Sequence, residues 1–72
     1  MTVTRTQLLE DLRVEIATEV KRRMKTGVAI TFQQLLLLVR EQAKENLRDD
    51  GDPMWRDRLT LLDALCVEEG LA

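Results

Sequence analysis

The chain has 72 residues, one cysteine, no histidine and a formal net charge of -2, and its 44% hydrophobic share includes only two aromatic rings, Phe32 and Trp55. These counts exclude an internal disulfide and leave a structural zinc without ligands. They also point away from a strongly basic nucleic-acid binder.

A chain of this length forms at most one domain, here read as a single helical unit over residues 1–72. A 60-residue domain buries only about 60% of the surface its unfolded chain exposes. Small domains therefore tend to gain stability from a staple or from association. With disulfide and zinc gone, association is what remains. The charge is uneven. Residues 1–27 carry six Lys/Arg against four Asp/Glu, whereas residues 49–72 carry two against seven. Such polarity can steer a partner or a second copy.

The first predicted helix runs over about residues 6–25. Leu9, Leu12, Ile16, Val20 and Met24 recur at spacings of three and four, which makes one apolar stripe. Acids lie early in it and bases late, an order that complements the helix dipole. Gly27 is placed to close it in a left-handed conformation. Val28-Ala29-Ile30 follows as a short apolar link, expected to tuck Val28 and Ile30 over the core.

The second predicted helix covers about residues 32–48. Thr31 with Gln34 matches a capping box, and Ile30 with Leu35 suits a hydrophobic staple across it. Phe32, Leu35, Leu36, Val39, Ala43 and Leu47 form its main stripe. Asp49-Asp50-Gly51 reads as a polar turn. Asp52 as cap and Pro53 in the first position then begin a third helix over about residues 53–69. Trp55, Leu59, Leu62 and Cys66 form its stripe, with Met54, Leu61 and Leu65 widening it.

Short links favour antiparallel neighbours. The expected fold is therefore all-α, a three-helix up-down-up bundle that associates as a dimer through its second and third helices. The reason for the dimer is an apolar surplus. Leu35-Leu36-Leu37-Leu38-Val39 sweeps about 400° of helix surface at about 100° per residue, whereas a core-facing stripe is nearer about 100° wide. Leu37, Leu38, Met54, Trp55, Leu61 and Leu65 are the expected protein-interface residues, with Trp55 suited equally to an anchor of the type enriched in hot spots and to a plug at the end of the core.

Two charged groups add candidates. Asp49, Asp50, Asp57 and Asp63 form an acidic region that suits a basic partner. Lys21, Arg22, Arg23 and Lys25 form a basic helix end that fits phosphate, or simply favours its own terminal carbonyls. No aromatic side chain is interleaved with it for base stacking. Asp49, Asp50 and Asp52 lack the alternating ligand spacing, sixth-position glycine and twelfth-position glutamate of a calcium loop. Cys66 falls on the apolar stripe and reads as a small buried hydrophobe.

The sequence holds no His, Ser or Tyr, so it builds no Ser-His or Cys-His nucleophile. Its three glycines form no phosphate loop. The expected class is a cytoplasmic, non-catalytic protein-binding adaptor or inhibitor with no cofactor, metal, small-molecule substrate or membrane span. By analogy it suits a regulator of the kind that phages and plasmids encode against host enzymes. One alternative is a DNA-binding regulator of helix-turn-helix type, offering Gln33, Gln34, Arg40 and Gln42, or of ribbon-helix-helix type, with residues 28–30 as the ribbon. Another is a structural assembly subunit.

Overall fold

A computed structural model describes residues 3–71, and every one of its regular elements is a helix. Helix α1 spans Arg5–Lys25, α2 spans Phe32–Asp50 and α3 spans Pro53–Glu68. Each begins at a side-chain cap. Thr4 accepts from the Gln7 N–H at 3.2 Å, so α1 starts slightly earlier than its apolar pattern suggests. At α2 the capping box is complete: Thr31 Oγ1 accepts from the Gln34 N–H at 3.1 Å, and Gln34 Oε1 accepts from the Thr31 N–H at 3.0 Å. Asp52 Oδ1 accepts from the Met54 N–H at 2.9 Å, with Pro53 in the first turn of α3.

The helix ends follow from backbone geometry. At Gly27 the backbone turns left-handed, φ 88°, and the Val28 N–H reaches back to the Arg23 carbonyl at 2.9 Å. This is the Schellman closure that glycine allows without a Cβ clash. Gly51 plays a similar part for α2, so Asp49 and Asp50 belong to the last turn of that helix rather than to a turn outside it. At α3 the Leu71 N–H bonds the Cys66 carbonyl at 2.8 Å, and the Leu71 side chain packs against the core.

The core is aliphatic. Leu9, Leu12 and Ile16 of α1 meet Leu35, Leu36 and Ala43 of α2 and Leu62, Leu65 and Cys66 of α3. Val20, Ile30, Phe32, Val39, Trp55, Leu59 and Leu61 close around them. Burying a leucine fully contributes about 1.5–3 kcal/mol over leaving it in water. These few side chains therefore supply most of the force that orders the fold.

Helices α2 and α3 form an antiparallel hairpin. The Gly51-Asp52 turn joins them, and Arg40 Nε lies 3.7 Å from Asp63 Oδ1, level across the pair. Helix α1 departs from a slender up-down-up bundle by lying across this hairpin. Arg13 pairs with both Glu68 and Glu69, while Glu15 pairs with Arg58. Two residues on α1, from Arg13 to Glu15, cover about 3 Å of axis, whereas the ten or eleven from Arg58 to Glu68 and Glu69 cover about 15 Å. A long step on α3 therefore matches a short step on α1. The extents of 35 × 31 × 24 Å agree with crossed rods rather than parallel ones. The link at 26–31 folds back from the end of α1 to start α2.

Candidate functional site

A concave apolar feature lies where the link after α1 meets α2. Val28, Ala29 and Ile30 run beside the first turns of α2 and, with Gln34, Leu37, Leu38 and Glu41, line an open groove of about 510 Å³. Met24 continues the apolar surface on the far side of the link, bordering smaller hollows with Gly27, Val28, Ala29 and Ile30. Met24 is 62% exposed, Leu38 55% and Val28 47%.

The geometry explains both halves of the groove. On α2, Leu35 and Leu36 turn inward and are fully buried, which forces Leu37 and Leu38 outward. On the other side, the closure at Gly27 directs the chain along α2 instead of over the core. Val28 therefore stays exposed, and only Ile30 tucks in as expected.

Of the residues expected at an interface, Leu37 and Leu38 are exposed and line the groove. Met54 is exposed too, but it sits at the start of α3, beside the opposite end of α2. Trp55 and Leu61 are half-buried against the core. Leu65 is the clear correction: it is fully buried and offers nothing to a partner. The transverse α1 covers part of the hairpin that α2 alone would leave open, and α3 spends most of its apolar width inward. Met24 and Val28 are surface where the sequence places them inward: helical spacing assigns Met24 to the α1 stripe, and the apolar link assigns Val28 to the core. The one available signal was an apolar triplet directly after a glycine stop.

The charged candidates separate as well. Arg22 and Arg23 both bond Glu19 on their own helix, Arg22 Nε at 2.9 Å and Arg23 Nε at 3.1 Å. Those bonds hold the Glu19 carboxyl down at about 2, from an ordinary 4.5, and raise the Arg22 guanidinium in return. Two of the four basic residues are thus occupied in a local cluster. Lys21 and Lys25 remain exposed, with no carboxylate partner among the described residues. The acids Asp49, Asp50, Asp57 and Asp63 are all exposed, and Asp63 faces Arg40 across the hairpin. The Arg40 Nε is buried and donates no hydrogen bond among the described residues.

A second hollow, of about 260 Å³, gathers Glu15, Glu19, Arg23 and Arg58 over Ile16, Leu35 and Val39. Its charges are matched in pairs, Arg58 to Glu15 at 2.7 Å and Arg23 to Glu19 at 3.1 Å. Each carboxylate already has a cation, so the hollow is suited to holding helices together rather than to moving protons. No cluster among the described residues has the ligand set for a metal ion. Cys66 is buried among the core leucines, as its spacing predicts. None of the described helices is long and apolar enough to cross a membrane. No protein-family model, curated protein or solved structure matches this chain.

Proposed function

We propose that the chain is a non-catalytic protein-binding module, an adaptor or inhibitor, whose working surface is the groove between residues 28–30 and α2. The observation that carries this reading is one continuous apolar surface of Met24, Val28, Ala29, Ile30, Leu37 and Leu38 on a domain that already has a closed core. Large contiguous apolar patches on small soluble domains mark interaction sites. Self-association through the same surface belongs to the reading, because a chain this small has few other sources of added stability.

The charge pattern supports protein rather than nucleic acid as the target. Arg22 and Arg23 are engaged with Glu19, and the groove itself is bordered by Glu41. Catalysis finds no support in the residue types or in the self-paired charged hollow. A cytoplasmic adaptor or inhibitor fits the sequence, and its exposed Asp49, Asp50 and Asp57 would favour a partner with basic residues beside an apolar ridge.

The test compares wild type with Leu38→Asp as immobilised bait in lysate of the source cells, with captured proteins identified by mass spectrometry. The expected result is one or a few partners held by wild type and lost from the variant. Circular dichroism should show unchanged helix content, since Leu38 lies outside the core. Partners that bind both baits equally would remove the groove from the reading. Salt-sensitive binding of duplex DNA by both proteins would replace it with the nucleic-acid alternative.

A further inference from the structure

We infer that the groove is occupied by a second copy of this chain, paired about a two-fold axis through the apolar strip; this rests on the groove being a docking surface. The argument is charge complementarity across the strip. On its α1 side, Lys21, Met24 and Lys25 share one helix face, and both lysines are exposed without a carboxylate partner among the described residues. On its α2 side, Leu38, Glu41 and Glu45 share a face at spacings of three and four, and both acids are exposed. Lys44, one position from Glu45, is already turned to Glu41 at 3.2 Å. The apolar side chains thus lie between a flank with two lysines unpaired among the described residues and a flank whose two acids are offset by one lysine, which leaves the first net basic and the second net acidic.

A two-fold interface must be complementary to itself, because each patch meets the same patch reversed. A strip with one basic and one acidic edge meets that condition. Rotation about an axis running along the strip lays Lys21 and Lys25 of one copy against Glu41 and Glu45 of the other, and by the same exchange Val28 of one copy meets Leu37 and Leu38 of the other. A strip with like charges on both edges would repel its reversed copy. A standard interface takes about 800 Å² from each partner, which is about a seventh of the 5223 Å² this chain exposes. A second copy in the groove would compete with any other protein for it.

The experiment is light scattering coupled to gel filtration across micromolar to millimolar protein, on wild type and three variants. Wild type is expected to be dimeric at high concentration. The exposed-site variant Leu38→Asp should weaken pairing at least tenfold. K21E/K25E and E41K/E45K should each weaken pairing by a similar factor, and mixing those two should restore it as a heterodimer. Circular dichroism on each variant confirms that the fold is kept. A wild type that stays monomeric throughout overturns the second copy as occupant. The docking groove survives that result if Leu38→Asp still loses a captured partner. A wild-type dimer that ignores Leu38→Asp places self-association elsewhere and also overturns the proposal. Charge-reversed variants that pair with themselves as well as wild type, and gain nothing on mixing, overturn the proposed register.

Discussion

Replacing two leucines in the Leu35–Val39 run, one at a time, separates core from surface within one helix. Leu36 is 0% exposed, between helices that leave it no route to solvent, while Leu38, two positions on, is 55% exposed. Leu36→Ala removes a side chain from a closed core and leaves a cavity, which costs about 2–5 kcal/mol. Leu38→Ala removes one from a surface and costs at most about 0.5 kcal/mol in the monomer. A domain of this length has about 4–11 kcal/mol in total at the usual range per residue. The first change therefore takes a large share of the stability, and the second almost none. The assay is urea denaturation followed by circular dichroism, at low protein concentration so that self-association adds nothing. Leu36→Ala should shift the midpoint far down or leave the chain unfolded, with Leu38→Ala close to wild type. Equal losses from both would mean that α2 is rotated about its axis relative to this fold, and the groove assignment would fall with it.

Substitutions at three further positions probe a contact between helices, a helix cap and an ion cluster within one helix. Arg13→Ala should lower stability by about 1 kcal/mol and the melting temperature by about 4–8 °C, because it frees Glu68 and Glu69 at the negative end of the α3 dipole. Arg13→Lys should recover only part of this, since one ammonium does not span two carboxylates as a guanidinium does. A melting temperature unchanged by Arg13→Ala would deny that the pair pins α1 across α3. Thr31→Ala opens the capping box and should cost about 1 kcal/mol, with Thr31→Ser near wild type; equal behaviour of the two would show that the hydroxyl does not matter. The Glu19 carboxyl is held at about 2 by Arg22 and Arg23, below its ordinary 4.5. A depressed carboxylate contributes stability above pH 4.5 and loses it as pH falls from there through about 2. Glu19→Gln should therefore differ from wild type at neutral pH and converge with it in that acid window, as followed by denaturant midpoints. A gap that stays constant across the window would contradict the ion cluster.

Local signals made the helices readable in advance. Thr31 with Gln34, Asp52 with Pro53, and the glycines at 27, 51 and 70 all act within a few residues of themselves, so no distant contact is needed to interpret them. The main inward stripe, Leu9, Leu12 and Ile16 against Leu35, Leu36 and Ala43, was legible because helical periodicity reports which side chains share a face. The functional surface was only half legible. Leu37 and Leu38 announce themselves as an apolar surplus, but periodicity does not say which side of a helix a neighbour will cover. Leu65 looked like part of the same surplus and is core, because α3 is met by α2 along one side and by α1 across another.

The sequence by itself determined that this is a three-helix, aliphatic-core chain with more apolar surface than three rods hide. Those properties depend on spacing, capping and composition, which are all written locally. Only the tertiary structure decided where the surplus lies, because the angle at which α1 crosses the hairpin depends on side chains far apart in the chain packing at once. That packing leaves Met24 exposed beside the link, turns residues 28–30 back beside α2, and brings them level with Leu37 and Leu38. Residues separated by more than ten positions thus become one surface, and no local pattern encodes that distance.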